Sequence, residues 1–174
     1  YKLGDNMATA LATPFYLDMG FSRTEIGSIA KVAALWASIA GSVIGGVVML
    51  KLSINKSLWI FGFVQMMTIL GFAWLSVAGH DPYLLFAVVS AEYLGVGLGT
   101  VALTAYMARE TSRAFTATQF ALFTSLIAVP RTFAYASTGF LVEAMGYATV
   151  FVLCTALAVP GMLMLLKAAP WSRD

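Results

Sequence analysis

The sequence has little charge. Of its 174 residues, 10% are Asp, Glu, Lys or Arg, whereas 60% are hydrophobic and the mean hydropathy is +0.87. A soluble domain usually has about 25% charged residues, so this composition excludes a soluble globular enzyme. It also excludes a disordered tail, because disordered chains have few hydrophobic residues. The net charge of +2 is too small to indicate a nucleic-acid ligand.

Cysteine and histidine are nearly absent. Cys154 is the single cysteine and His80 the single histidine, so the chain cannot form an internal disulfide and is not a disulfide scaffold. No nucleophile–base pair, metal-ligand cluster or phosphate-binding loop can be assembled from the other residues. The sequence therefore predicts no enzyme, no metal site and no cofactor.

Long hydrophobic runs dominate the chain instead. About 20 helical residues cross the roughly 30 Å hydrocarbon layer of a membrane, and runs of this length recur between short breaks that contain charged residues, Gly or Pro. This pattern predicts an all-α, polytopic membrane protein with six transmembrane helices and no soluble domain. The predicted helices are A (residues 1–17), B (24–50), C (57–78), D (82–108), E (115–142) and F (147–167).

The basic residues predict the orientation. Six of them lie in the breaks B–C and D–E and at the C-terminal end, whereas Arg23 alone lies on the opposite side. Cytoplasmic loops carry the excess of Lys and Arg, so both ends are expected to be cytoplasmic. Because the chain starts with Tyr1 rather than Met, helix A is expected to lack its first turns on that side. The six are Lys51, Lys56, Arg109, Arg113, Lys167 and Arg173.

Four ionisable residues lie within the hydrophobic runs. From the helical rise, Lys31, Glu92, Arg131 and Asp5 are expected roughly 13–20 Å below the outer surface. A charge at this depth costs about 2.5–3.5 kcal/mol and normally faces a wet cavity or a partner. Helices A, B, D and E are therefore expected to line a polar space, while C and F face lipid, with Leu75 as a lipid-facing position. A purely structural ion bridge is the alternative.

Small residues recur four apart on helices B and D. The segments 41–45 and 95–99 both have the small-xxx-small pattern, with Gly41 and Gly45 on helix B and Gly95 and Gly99 on helix D. This pattern allows close approach of two helices. We therefore expect these glycines to serve helix packing rather than ligand contact.

The order lining, lining, outer, lining, lining, outer resembles one half of a major facilitator transporter. Several segments are similar to bacterial muropeptide permeases of the AmpG type, and together they cover nearly the whole chain. The resemblance implies that the chain is the C-terminal six-helix bundle of a longer transporter. The segments are Tyr1-Lys-Leu-Gly-Asp5, Lys31 in the Gly-rich helix B, Gly45-Gly-Val-Val-Met-Leu-Lys-Leu-Ser53, Phe115-Thr-Ala-Thr-Gln-Phe-Ala-Leu122 leading to Arg131, and Phe140-Leu-Val-Glu-Ala-Met-Gly146.

The resemblance implies proton-driven import of anhydro-muropeptides across the bacterial inner membrane for cell-wall recycling. The ligand would bind between this bundle and an N-terminal six-helix bundle, and rocking of the two bundles would give alternating access. Ligand carboxylates would be received by cationic residues, and sugar rings and hydroxyls by aromatic and hydroxyl residues. The substrate-binding candidates are Lys2, Lys31, Arg131, Tyr135, Thr9 and Thr13. The proton-coupling candidates are Glu92 and, second, Asp5.

Two other functions remain open at this point. Related facilitators move acetyl-CoA, drugs or siderophores, and the residues of one half do not fix the ligand. The chain is alternatively a structural or regulatory half-bundle without transport, in which the charges only hold helices A, B, D and E together.

Overall fold

The computed structural model describes residues 1–111 and 116–171, and this part of the chain is almost entirely helical. Within the last helix, six side chains lie outside the description, namely those of Thr116, Ile127, Pro130, Arg131, Ala134 and Tyr135. The elements are α1 (Leu3–Asp18), α2 (Arg23–Glu25), a π-helical segment (Ile26–Lys31), α3 (Val32–Met49), α4 (Ile54–Ala78), α5 (Pro82–Glu110) and α6 (Thr116–Ala168).

Capping residues set where the helices begin. The N–H of Glu25 donates to Ser22 Oγ (3.2 Å) and the N–H of Ser22 donates to Glu25 Oε2 (2.8 Å), which is a capping box. Ser53 caps α4, and Asp81 caps α5, with Pro82 in the first turn. The starts therefore agree with the predicted starts of helices B and D, and α4 begins three residues before predicted helix C.

Gly146 interrupts α6. Its φ of 76° and ψ of 161° are non-helical, and glycine adopts a positive φ without steric cost. We call residues 116–145 the first arm of α6 and residues 147–168 the second arm. The interruption falls inside the predicted break between helices E and F.

Among the described residues, four stretches are long and apolar enough to cross a membrane: Arg23–Met49, Ile54–Ala78, Pro82–Glu110 and Ala136–Ala168. The first combines α2, the π-helical segment and α3. The 16 residues of α1 extend about 24 Å, which is less than the hydrocarbon thickness. The helices identify a multi-pass membrane protein, whereas six transmembrane helices and the major facilitator half fold stay predictions.

The core lies where α1, α4 and the second arm of α6 meet. Phe151 of α6 meets the ring of Phe15 of α1 edge-on, with ring centroids 5.1 Å apart, and stacks on Phe72 of α4, with ring centroids 5.2 Å apart. Leu75 is fully buried beside them, so the prediction that Leu75 faces lipid is wrong. Position 75 shares the packed face of α4 with Phe72, whereas the neighbouring Val77 is 79% exposed.

Glycines bring α3 and α5 into close contact. A Cβ on Gly41 would lie 2.3 Å from the backbone oxygen of Leu94, and a Cβ on Gly97 would lie 2.4 Å from that of Ser38. Neither position has room for a methyl group, which confirms the packing interpretation. Gly41 on helix B therefore faces α5 and not a polar space.

Candidate functional site: a polar cleft between α1 and α5

A cleft of about 430 Å³ opens between α1 and α5. On α1 its lining residues recur at spacings of three and four, so they share one helical face. The lining residues on α5 also recur at spacings of three and four, on a face that carries two threonines. The lining residues are Lys2, Asp5, Asn6, Thr9, Tyr93, Val96, Thr100, Leu103, Thr104 and Met107. Charged, amide and hydroxyl groups therefore face the cleft from both helices.

Lys2 and Asp5 form a nearly buried ion pair in the wall of this cleft. Lys2 Nζ lies 3.1 Å from Asp5 Oδ2, and the two side chains are 11% and 6% exposed. The same ammonium group donates to the backbone oxygen of Val96 at 3.3 Å. Lys2 thus links α1 to the middle of α5. The other oxygen of the pair, Asp5 Oδ1, is buried and has no hydrogen-bond partner among the described atoms.

Glu92 lies behind the cleft rather than in its lining. Its side chain is fully buried, and no described group forms a hydrogen bond of normal geometry with either carboxyl oxygen. Asp5, Thr68 and Lys2 are close enough to interact with it electrostatically. The structure therefore brings Lys2, Asp5 and Glu92 together, as one cation beside two carboxyl groups.

Thr9 lines the cleft one turn beyond Asp5. Its hydroxyl donates to the backbone oxygens of Asp5 (2.8 Å) and Asn6 (3.3 Å). A hydroxyl oxygen that donates its hydrogen can still accept a hydrogen bond from a ligand. Thr9 is thus placed for an accepting role, in the region where the sequence predicted a substrate contact.

Lys31 and Thr13 form a separate polar pair. Lys31 Nζ donates to Thr13 Oγ1 at 3.2 Å, and both residues are exposed. Thr13 is eight residues beyond Asp5, or about 12 Å along α1. Lys31 is the last residue of the π-helical segment, and such segments are frequent at functional sites. Lys31 does not join Glu92, although the sequence predicted one shared space for these charges.

The remaining two candidates, Arg131 and Tyr135, lie on the first arm of α6, and their side chains are outside the description.

Sequence reasoning missed several residues of the cleft, among them Asn6, Thr100 and Thr104. It did not identify the cleft-lining face of helix D, whereas Gly95 and Gly99, which it expected to serve helix packing, do pack against α4. A Cβ on Gly95 would lie 3.1 Å from Thr68 Oγ1, and one on Gly99 would lie 2.6 Å from Gln65 Oε1. The sequence does contain a pattern that indicates the cleft-lining face of α5, because Val96, Thr100 and Thr104 recur every four residues.

No family model matches the chain, but curated proteins do. An uncharacterized protein of Haemophilus influenzae is 49% identical over 181 residues, covering 100% of this chain and 43% of that protein. The anhydromuropeptide permease of Escherichia coli K12 is 39% identical over 167 residues, covering 95% of this chain and 34% of the permease. The putative transporter AmpG 4 of Rickettsia felis is 33% identical over 166 residues, covering 95% and 40%. The chain thus spans well under half the length of these relatives.

Proposed function

Because this chain is homologous to the C-terminal half of proteins named anhydromuropeptide permease and AmpG transporter, we propose that it forms the C-terminal six-helix half of a proton-coupled importer of anhydro-muropeptides in the bacterial inner membrane. The named relatives are permeases and transporters rather than enzymes. The four apolar spans place the chain in the membrane, where such a solute must cross.

The observation that carries the proposal is the Lys2–Asp5 pair in a polar cleft with Glu92 buried behind it. A solute that bears carboxylates needs a cation in its binding site, and Lys2 supplies one. A coupled proton needs a carboxyl group that can hold it away from bulk water, and Glu92 meets this requirement. Charges at membrane depth are costly, and they mark solute and proton pathways.

The cleft suits the chemistry of a disaccharide that carries a short peptide. Its volume of about 430 Å³ is in the range of small-molecule pockets. Lys2 would bind a peptide carboxylate, while Asn6, Thr9 and Thr100 would exchange hydrogen bonds with amide and sugar hydroxyl groups. The N-terminal half would supply the opposite wall, because ligands of this transporter class bind between the two repeats.

Lys31 and Thr13 would extend the site along α1. Their pair is about 12 Å from Asp5 along the helix, so a long ligand could reach both cations with different carboxylates. Arg131 and Tyr135 would complete the site from the first arm of α6, with Arg131 binding a carboxylate through two parallel hydrogen bonds. Rocking of this bundle against the N-terminal half would then expose the ligand alternately to the two sides.

The Glu92→Gln variant of the full-length transporter tests the proposal in proteoliposomes. Glutamine keeps the shape of the side chain but cannot hold a proton, so uptake driven by a proton gradient should fall to the background level. Exchange of labelled for unlabelled anhydro-muropeptide needs no net proton movement and should persist.

Val77→Ala is the matched control, because Val77 is 79% exposed on the outer face of α4. Leu75→Ala does not serve, since Leu75 is buried and its loss would leave a cavity. Normal gradient-driven accumulation by Glu92→Gln would remove Glu92 from the proposed mechanism.

A structural role is the second candidate, and the bond from Lys2 to the Val96 carbonyl favours it, since that bond joins two helices. A joint replacement of Lys31, Glu92 and Arg131 by apolar residues of similar size separates the two functions. Retained folding with retained uptake would favour a structural role, whereas retained folding with lost uptake would favour transport.

A further inference from the structure

Asp5 lies between the polar cleft and the buried carboxyl group of Glu92. It lines the cleft, pairs through Oδ2 with Lys2, and interacts with the fully buried Glu92. On the basis of the proposed function, we propose that an anionic solute group that draws Lys2 away from Asp5 causes the Asp5–Glu92 pair to take up one proton. Asp5 is then a positioning residue that links two separate sites.

The first step of the argument is that the solute and the proton bind in different places. Glu92 has no exposed surface and is not part of the cleft lining. A solute in the cleft can therefore reach Lys2 and Asp5 but not Glu92. Any effect of the solute on Glu92 must pass through the Lys2–Asp5 pair.

The second step concerns charge. Asp5 and Glu92 are 4% and 0% exposed, and two neighbouring buried carboxyl groups cannot both ionise without a nearby cation. Lys2 is that cation, with its ammonium group 3.1 Å from Asp5. A solute carboxylate that takes over the hydrogen bonds of Lys2 leaves the carboxyl pair without its counter-charge. A proton from bulk water then binds to a carboxylate oxygen of the pair, and it leaves again when Lys2 returns.

The third step is that, among the side chains that the structure describes, the other neighbours of the pair do not replace Lys2. Asp5 also interacts with the hydroxyl of Tyr1. Glu92 interacts with Tyr16 of α1 and Cys154 of α6, Thr68 approaches from α4, and Tyr93 follows Glu92 on α5. These groups are hydroxyls and a thiol, and none carries a positive charge. Lys31 is held by Thr13, further along α1.

The consequence is that the anion and the proton are expected to move in the same direction. Anion binding and proton binding favour each other because linkage is reciprocal. One carboxylate and one proton enter together without net charge, which reduces the cost of moving the anion through a medium of low dielectric constant. The arrangement therefore produces symport rather than exchange of the two ions.

Proton uptake on ligand binding tests this linkage directly. The full-length transporter is held in detergent and weak buffer with a pH indicator, and an anhydro-muropeptide with free peptide carboxylates is added. We expect about one proton to be taken up per bound ligand. The same ligand with amidated carboxylates should bind without proton uptake, because it cannot compete for Lys2. Equal proton uptake with both ligands would overturn the proposal.

Variants locate the effect. Lys2→Gln and Glu92→Gln should each lose the proton uptake, whereas Lys2→Arg should retain it because it keeps the cation. Lys51→Gln removes the same charge from an exposed loop and should behave as the parent protein. Unchanged proton uptake in Lys2→Gln would contradict the linkage. If Lys2→Gln fails to fold, Lys2→Arg and the amidated ligand still decide the question.

A measurement without ligand separates this proposal from the proposed function. Infrared spectra of Lys2→Gln should show a protonated-carboxyl band that disappears when Asp5→Asn and Glu92→Gln are added, because both carboxyl groups of the pair are then removed. Absence of the band would refute the linkage. If the band is present but calorimetry detects no binding of anhydro-muropeptide, the assigned solute is wrong while the linkage stands.

Discussion

At the scale of single residues, Gly97 shows how little space separates α3 from α5. A Cβ at this position would lie 2.4 Å from the oxygen of Ser38 and 2.8 Å from the nitrogen of Ser42. Both are backbone atoms, so a rotamer change cannot relieve the overlap and the two helices must move apart. Over-packing of this kind costs roughly 1–3 kcal/mol.

Gly97→Ala should therefore lower the midpoint of thermal unfolding of the full-length protein in detergent. Gly46→Ala on α3 is the matched control, since a Cβ there meets no atom within 4 Å and alanine favours the helix by about 1 kcal/mol. We expect the control to be neutral or stabilising. An equal decrease in both variants would contradict the close contact between α3 and α5.

The sequence predicted which residues lie within the membrane but not the direction in which they point. Lys31 and Glu92 both lie in stretches apolar enough to cross a membrane, yet Lys31 bonds to the exposed Thr13 and Glu92 is fully buried. Hydrophobic runs fix depth through the constant rise per residue. Hydrophobic runs do not show which side of a helix faces a neighbouring helix and which side faces a cavity, because small residues such as Gly95 and Gly99 suit both surfaces.

At the scale of elements, the N-caps made the helix starts predictable from the sequence, whereas the helix faces that pack in the core could not be predicted. The side chains of Ser22 and Asp81 accept hydrogen bonds from backbone N–H groups in the first turns of their own helices. Such N-caps need no tertiary contact, so the sequence alone indicates them. Helix C was expected to face lipid because it carries no charge, but Leu75 and Gln65 of α4 are buried. In a membrane protein the buried and lipid-facing surfaces are both apolar, so hydropathy does not distinguish them.

The C-terminal end of α6 is held by side chains of α4 and α5. Trp59 Nε1 donates to the oxygen of Ala169 at 3.0 Å, and Tyr106 donates to that of Ala168 at 3.0 Å. Asn55 donates to the oxygen of Pro170 at 3.2 Å. The last carbonyls of a helix have no partner within the helix, and Tyr106 satisfies that of Ala168, the last residue of α6. Trp59 and Asn55 bind the carbonyls of the two residues that follow the helix.

Trp59→Phe should loosen this end, because phenylalanine keeps an aromatic ring but has no N–H to donate. The loss of one such bond costs about 1 kcal/mol, and amide hydrogen exchange in residues 165–169 should accelerate. Ser76→Ala is the control, since the Ser76 hydroxyl donates within its own helix to Ala73. Exchange rates in residues 165–169 that do not differ between the two variants would show that Trp59 does not hold α6.

At the scale of the whole molecule, the two ends of the bundle differ in charge and in contacts. At one end, Phe21 packs against His80 in a tilted arrangement with ring centroids 4.3 Å apart, and His80 Nε2 lies 3.5 Å from Glu25 Oε1. The loop after α1 therefore meets the turn before α5. At the other end, Arg109 donates to Asn55 at 2.8 Å, beside the basic loop that contains Lys51. The positive-inside rule predicts that this second end is cytoplasmic.

Thiol labelling in intact cells tests that orientation in the full-length transporter. In a Cys154→Ser background, a membrane-impermeant maleimide should label His80→Cys but not Lys51→Cys, and both should react after the membrane is permeabilised. Both positions have exposed side chains in the bundle, so access to the compartment and not burial decides the reaction. The reversed pattern would place the basic end outside, and it would overturn the prediction that the end with Lys51 and Arg109 is cytoplasmic.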